Sequence, residues 1–221
     1  MERKKKKANI VILICVFFLF LFQASAFANL CHCLKQLKQR YSQQKGIVLV
    51  YERYIISTTM NMLGERKETD LAKGKMFFKP PYYIRIEQKI PDPEFVLCDG
   101  RWIWWYIPKK KVAHRYSLKG FSEEISILTD IFNGMKNLEK DFFISAKDKF
   151  SFILKPKKSL HDVDKIEICV DKRCHRVVEV KIYNLLGSVT CFKIKEQLFK
   201  DIDKSLFTFT PADNVEIIQE K

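Results

Sequence analysis

Histidine and glycine are scarce in this chain, which contains four histidines and seven glycines among 221 residues. It has no Gly-x-Ser-x-Gly nucleophile turn, no glycine-rich phosphate loop and no His-Glu-x-x-His zinc motif. The histidines lie in polar stretches and are interpreted as surface residues: His32, His114, His161 and His175. A Cys–His nucleophile pair stays open as an alternative. The sequence therefore predicts no enzyme, no catalytic residue, no cofactor and no metal site.

Long apolar runs are also rare, and the one at the N-terminus, Ile10–Phe22, has 13 residues. Basic residues Arg3–Lys7 precede it and small residues end at Ala28, which is the order found in secretory signal peptides. A cut two residues earlier also fits. An uncleaved anchor is the rival interpretation, although a membrane span needs about 20 residues. The sequence predicts a cleavable signal peptide over 1–28. No Pro/Gly/Ser-rich linker follows, so 29–221 is predicted to be a single domain.

Acidic residues are outnumbered, with 26 Asp or Glu against 40 Lys or Arg and a net charge of +14. Cleavage of the signal peptide would leave a mature net charge of +10. A basic surface attracts nucleic acid, anionic membranes or acidic partners, and it can also be a plain solvated surface. Lys109–Lys111 follows an aromatic segment, a pattern that single-strand binders share. Export argues against that use, so no nucleic-acid partner is predicted.

Six cysteines remain after signal cleavage: Cys31, Cys33, Cys98, Cys169, Cys174 and Cys191. An even number in an oxidising compartment favours disulfides, with fifteen possible pairings. Runs 166–170 and 175–180 read as two strands of a hairpin, so Cys169–Cys174 is the best-supported pair. The Cys31–Cys33 segment contains a histidine, but no second ligand pair at zinc spacing follows it.

The hydrophobic pattern predicts a helix over 29–44, because Leu30, Leu34, Leu37 and Tyr41 recur at helical spacing. A second helix is predicted from Ser122 to about Asn137. Eleven strand-like runs are separated by turn residues, near 46–57, 66–79, 82–90, 94–98, 101–107, 110–116, 141–147, 149–155, 164–170, 174–183 and 188–196. This order favours a curved antiparallel sheet with helices on its concave face.

The segment Cys98–Pro108 is unusual because nearly every side chain after its Asp-Gly turn is large and apolar. A half-exposed strand would alternate apolar and polar residues. Here Ile103, Trp105 and Ile107 share one face, whereas Trp102, Trp104 and Tyr106 share the other. Both faces must meet apolar material, which could be core, a covering segment or a ligand. Alternation alone does not decide which face points inward.

With these pieces in place, the chain from about Leu34 to Ile218 resembles the LolA family of periplasmic lipoprotein carriers. Four segments carry the resemblance in order: Val50–Arg53, Gly74–Arg85, Asp99-Gly100 with Trp104, Tyr106 and Pro108, and Leu206–Pro211. The resemblance implies an α+β fold, an incomplete (open) antiparallel β-barrel of about 11 strands whose concave face is covered by helices. It also implies an apolar cavity for lipoprotein acyl chains.

The resemblance further implies a monomeric periplasmic carrier that takes lipoproteins from an inner-membrane LolCDE-type ABC exporter to the outer membrane, where a LolB-type receptor could accept them. The alternative is a LolA-like sensor domain of envelope stress that binds lipid or a partner. Candidate residues for the cavity and its lid are Phe77, Tyr83, Trp102, Trp104, Trp105, Ile125, Leu128 and Phe132. Ordinary core packing is the alternative for each of them.

A lid latch is the last feature that the resemblance implies. The family has an arginine before the corner proline, and this chain has Lys79 there. Lysine keeps the charge but lacks the planar fork of donors, which predicts a looser lid. Arg85 is the second latch candidate, with a solvated strand residue as the alternative interpretation.

Overall fold

The computed structural model describes residues 32–57, 68–118, 122–135 and 138–220, in which twelve strands form one sheet. In chain order the strands are β1 Ile47–Ile56, β2 Glu68–Lys79, β3 Tyr83–Ile90, β4 Glu94–Cys98, β5 Trp102–Ile107, β6 Val112–Ser117, β7 Phe142–Asp148, β8 Ser151–Pro156, β9 Val163–Val170, β10 Val177–Asn184, β11 Val189–Phe199 and β12 Glu216–Gln219. The predicted signal peptide lies outside the described residues.

The sheet order is β12-β6-β5-β4-β3-β2-β1-β11-β10-β9-β8-β7, so it stays open between β12 and β7. Two antiparallel meanders, β1–β6 and β7–β11, are joined where β1 pairs with β11, for example Tyr54 opposite Cys191. The short β12 pairs in parallel with β6. The predicted open antiparallel fold with covering helices is confirmed, with one more strand than the eleven expected.

Three helices accompany the sheet: α1 over residues 32–42, α2 Glu123–Phe132 and α3 Leu138–Asp141. The apolar stripe of α1 is buried, with Leu34, Leu37 and Tyr41 between 0 and 7% exposed. Helix α2 is five residues shorter than predicted at its C-terminal end. It stops before Gly134, whose φ of +105° suits glycine and ends the helical path.

We call the face of the sheet against which α1 and α2 pack the inner face. Along β1 the inner residues Ile47, Leu49 and Tyr51 are nearly inaccessible, while the residues between them are half-exposed. The alternation is the period of two that a half-buried strand requires. Phe132 of α2 packs on Phe78 of β2, with ring centroids 5.3 Å apart. The main core therefore lies between the helices and the inner face.

The opposite, outer face of β4–β6 has a cover of its own. Residues 200–215, which we call the C-terminal strap, follow β11 and cross this face before β12 joins β6. A short 3-10 helix over Lys204–Phe207 lies within the strap. Phe209 of the strap packs on Trp104 of β5 with ring centroids 5.1 Å apart. The strap thus forms a second, smaller apolar cluster that includes Leu97 and Ala113.

A disulfide joins Cys33 on α1 to Cys174 in the turn between β9 and β10, with the two Cα atoms 5.2 Å apart. The predicted pair Cys169–Cys174 is therefore wrong. Ile168 and Val170 point into the inner core, so alternation along β9 places Cys169 on the outer face. Cys174 instead packs against the inner core beside α1. The face of the sheet on which each cysteine lies therefore decides the pairing, and the spacing of the cysteines in the sequence does not show that face.

The described residues contain three free thiols, those of Cys98, Cys169 and Cys191. Burial raises the pKa of each of them. The Ser151 hydroxyl donates to Cys169 Sγ at 3.7 Å. Cys31 lies outside the described residues. Within those residues, no helix has the length and apolar character needed to cross a bilayer.

Candidate binding cavity

A cavity of about 460 Å³ lies between the N-terminal half of α2 and the inner face of the sheet. Its residues come from β1–β5, β11, α2 and the turn between β3 and β4, and they are Tyr51, Arg53, Ile55, Asp70, Met76, Ile86, Gln88, Pro91, Glu94, Val96, Trp105, Ser122, Glu124, Ile125 and Phe192. The volume falls within the range of about 300–1,000 Å³ that ligand pockets occupy.

The floor of the cavity is apolar because alternating residues of six strands point toward the helices. Met76, Ile86 and Phe192 each belong to the inner core and also face the cavity. Tyr51 is 3% exposed, and burial raises its pKa to about 12. Its phenol is therefore neutral at physiological pH. This floor offers an environment close to hydrocarbon.

The lining of the same cavity also includes polar side chains, namely Arg53, Asp70, Gln88, Glu94 and Glu124. The indole Nε1 of Trp105 donates to Glu94 Oε2 at 3.0 Å, which fixes the orientation of the ring over the floor. Gln88 Nε2 donates to the backbone carbonyl of Asp92 at 3.0 Å. The lining is thus amphipathic, because it combines an apolar floor with charged and polar side chains.

Helix α2 covers the cavity and is attached through side chains at its two ends. The carboxylate of Glu123 accepts from the backbone N–H groups of His161 at 2.7 Å and Asp162 at 3.3 Å. Thr190 Oγ1 donates to Glu124 Oε1 at 2.9 Å. These contacts hold the N-terminal end of the helix. Beyond the C-terminal end, Asn133 Nδ2 donates to the carbonyl oxygen of Pro81 at 3.5 Å.

The structure places four of the eight predicted cavity and lid residues on the inner side. Trp105 and Ile125 line the cavity. Leu128 and Phe132 lie on α2 but are fully buried in the core beneath it, so they close the space rather than line it. A role of any of the four in ligand binding stays a prediction.

The other four predicted cavity residues lie on the outer face, and their placement in the cavity is corrected. Met76 and Phe78 belong to the inner core, so alternation turns Phe77 outward. Trp102 and Trp104 belong to the cluster beneath the C-terminal strap. The remaining one is Tyr83, whose ring packs on Phe207 of the strap with centroids 5.6 Å apart. The strap explains why apolar residues occur on this side.

The two predicted latch residues also contact the strap and not α2. Lys79 Nζ lies 2.7 Å from Asp201 Oδ1. Arg85 donates from Nη1 to the carbonyl oxygen of Leu206 at 3.0 Å and from Nε to Glu87 Oε1 at 2.6 Å. Both side chains leave the outer face of their strands, so the predicted latch on the lid is corrected for both.

Sequence reasoning missed the acidic pair that attaches the helix. Glu123 and Glu124 were interpreted only as a helix start, since carboxylates favour the first turn. Their partners His161, Asp162 and Thr190 lie 38 to 66 residues later. The only signal in the sequence was that two acidic residues are adjacent. Because one carboxylate is enough to begin a helix, the second could have indicated another role.

A second opening of about 560 Å³ lies between α1 and α3. Most of its residues are polar or charged, including Lys35, Lys38 and Glu139. It is therefore less suited to an apolar ligand than the cavity beneath α2. In the part of the chain that the structure describes, no three His, Cys, Asp or Glu side chains are placed to hold a metal ion.

The family model described as "Outer membrane lipoprotein carrier protein LolA" matches residues 60–210. The chain is 24% identical over 191 residues to an outer-membrane lipoprotein carrier protein of Photobacterium profundum, covering 85% of this chain and 89% of that protein. It is also 24% identical over 213 residues to an outer-membrane lipoprotein carrier protein of Francisella tularensis, covering 95% and 97%.

Solved structures align with this chain at low sequence identity. An uncharacterized conserved protein from Thermus thermophilus aligns with a TM-score of 0.53 and 8% identity, over 86% of this chain and 98% of that one. A LolA superfamily protein from Nitrosomonas europaea aligns with a TM-score of 0.46 and 13% identity, over 80% and 96%.

Proposed function

The chain belongs to the LolA family of outer membrane lipoprotein carriers, and on that premise we propose that it carries lipoproteins across the periplasm with their acyl chains held beneath α2. An inner-membrane LolCDE-type ABC exporter would load it, and the outer membrane or a LolB-type receptor would unload it. The proposed action is binding and release by a monomer, without catalysis or a cofactor. The cavity of about 460 Å³ with an apolar floor beneath α2 carries this proposal.

The energetics of acyl chains suit such a cavity. Each methylene that leaves water contributes about 0.8 kcal/mol. Roughly ten methylenes against the floor formed by Met76, Ile86 and Trp105 would therefore contribute about 8 kcal/mol. That is enough for a soluble complex and still far from the limit of non-covalent affinity near roughly 20 kcal/mol. The complex can therefore form and also be unloaded.

More than one chain requires α2 to move away from the sheet. Its buried residues Leu128, Ile131 and Phe132 would then leave their core positions. Exposing three such side chains to water would cost about 5–9 kcal/mol. Acyl chains that occupy the vacated space would offset this cost, because they offer similar apolar contacts. The few polar attachments of α2, centred on Glu123 and Glu124, are consistent with such a movement.

The decisive test is lipoprotein release from membranes. Purified mature protein would be mixed with inner-membrane vesicles that contain a LolCDE-type exporter, a labelled lipoprotein and ATP. We expect labelled lipoprotein in the soluble fraction bound to this protein. The variant Ile125→Glu places a charge on the cavity wall and should reduce release at least tenfold, because a buried unpaired charge is strongly unfavourable.

Ile217→Glu is the matched control, since Ile217 is 47% exposed on β12, away from the cavity. It should release lipoprotein as the unchanged protein does. Soluble protein that recovers no lipoprotein would contradict the carrier function. If the protein instead extracted phospholipid and left the lipoprotein in the vesicles, the sensor alternative would be favoured.

A further inference from the structure

The cavity contains one cationic side chain, that of Arg53 on β1, among the residues that the structure describes. Arg53 lies two positions after Tyr51 on the inner side of the strand, opposite Ala72 on β2 and Phe192 on β11. Ala72 is inaccessible and Phe192 is 3% exposed. The Arg53 side chain therefore leaves the strand between apolar neighbours, and the residue as a whole is half-exposed.

Arg53 Nε is buried and has no hydrogen-bond partner in the described part of the chain. Two of the three carboxylates in the lining have other partners: Glu94 accepts from Trp105, and Glu124 accepts from Thr190. The third, that of Asp70, does not accept a hydrogen bond from Arg53 Nε. Arginine keeps its charge in proteins, so it cannot become neutral to relieve this position. A buried donor without an acceptor costs free energy, which a ligand acceptor would recover.

We propose that Arg53 binds the acceptor oxygen of the acyl group of a bound lipid, either a carbonyl or a carboxylate, while the hydrocarbon lies along the floor. This assignment rests on the carrier function proposed above and adds an orientation to it. The oxygen-bearing end of the chain would lie at Arg53, and the methyl end would point beneath α2. Gln88 and Glu94 also belong to the lining and offer further polar surface for a head group.

A pair of probes of equal length tests the orientation. Pyrene-labelled hexadecanoic acid and the corresponding hexadecanol would be titrated into the purified mature protein at pH 8. The protein should bind the acid at least tenfold more tightly than the alcohol, because hydrogen bonds to a charged acceptor are about twice as strong as neutral ones. Arg53→Met should abolish that preference and leave the affinity for the alcohol within about twofold. Arg53→Lys should retain part of it.

Lys73→Met is the control for charge alone. Lys73 lies on the neighbouring strand β2 but points to the outer face, where its Nζ is 2.8 Å from Glu52 Oε1. It removes one positive charge close to Arg53 without changing the cavity. The preference for the acid should persist in this variant. Thermal melting of each variant shows whether it folds, and Arg53→Lys provides the test if Arg53→Met does not.

A second pair of ligands tests whether Arg53 binds the ester carbonyl oxygen of a lipoprotein acyl chain as well as a free carboxylate. A synthetic lipopeptide with ester-linked acyl chains should bind more weakly to Arg53→Met than to the unchanged protein, whereas the ether-linked analogue should bind both equally. Equal loss of acid and alcohol, or of ester and ether, would overturn the assignment. If the unchanged protein bound none of these probes, the carrier function itself would fail. If it bound all of them without preferring the acid, only the proposed role of Arg53 would fail.

Discussion

Strand β5 carries tryptophans on both faces, and the two faces are covered in different ways. Trp105 faces a cavity beneath α2, which packs on the core through Leu128, Ile131 and Phe132 and makes its N-terminal polar contacts through Glu123 and Glu124. Trp104 faces the C-terminal strap, which β12 fastens to β6 by strand pairing. Movement of α2 would leave every strand pair in place, whereas movement of the strap would require β12 to separate from β6. Apolar character alone does not distinguish them.

Removing the disulfide should cause the largest loss of unfolding free energy, because it releases α1 from the turn between β9 and β10. The bond spans 141 residues, and cross-links over long loops stabilise proteins by about 4 kcal/mol. Urea denaturation of the double variant Cys33→Ser, Cys174→Ser should show a loss of about that size. Cys169→Ser, which removes a free thiol, serves as the control. Equal stability of the two proteins would mean that α1 is held by packing alone.

Truncation of Trp104 should mainly reduce stability, whereas truncation of Trp105 should mainly reduce binding of acyl chains. Trp104→Ala removes a side chain that is 9% exposed beneath the strap, and we expect a loss of about 3 kcal/mol in unfolding free energy. Trp105→Ala should cost about half as much, because the ring borders empty space. Binding of an acyl probe should fall in Trp105→Ala and stay unchanged in Trp104→Ala. The reverse pattern would place the ligand beneath the strap.

Loosening the attachment of α2 should have a smaller effect on stability. Glu123→Ala removes the acceptor of two backbone N–H groups, and we expect a loss of about 1 kcal/mol. Hydrogen exchange should accelerate in α2 and remain unchanged in β12 and β6. Glu216→Ala, at an exposed site on β12, is the control. Faster exchange in both covers would show that they open together.

The outer face of β8–β10 supplies a third surface for the comparison, because polar groups pair there. Glu167 is 3% exposed; Lys147 Nζ lies 2.9 Å from its carboxylate, and Tyr183 donates its hydroxyl to it at 2.9 Å. Burial alone would raise the pKa of Glu167, but hydrogen bonds from Lys147 and Tyr183 outweigh burial and lower it. The folded pKa therefore lies below the unfolded value of about 4.3.

This contribution to stability is complete above the unfolded pKa of Glu167 and is lost as the pH falls through the lowered pKa of the folded state. We expect the smallest of the effects here, a decrease in unfolding free energy between pH 5 and pH 2. Glu167→Gln should reduce the decrease, whereas Glu216→Gln on exposed β12 should not. A pH dependence that is the same in all three proteins would exclude Glu167 as its source.

Much of the fold could be predicted because the signals are local. Turn residues such as Asp99-Gly100 and the alternation along each strand depend on a few neighbours, and the strand bounds agree closely with the structure. The last strand escaped prediction because β12 is short and its pairing with β6 joins distant segments.

The site was harder to predict because its determinants are long-range. Trp102, Trp104 and Tyr83 have the composition of a cavity wall, but the strap that covers them comes from more than a hundred residues later. The basic corner at Lys79 was likewise assigned to the wrong cover, because its partner Asp201 is 122 residues away. Alternation shows that two faces differ, but it does not show what lies on either one.

The bond between Cys33 and Cys174 also makes the two sides of the inner face differ in how far their helices can move. One helix is fixed covalently to the turn between β9 and β10, while the other has no such link among the described residues. Movement of α2 would enlarge the cavity that Arg53 and Pro91 line and would leave this bond in place, whereas the bond limits any movement of α1. For the proposed carrier, we therefore expect acyl chains to enter and leave on the side of α2.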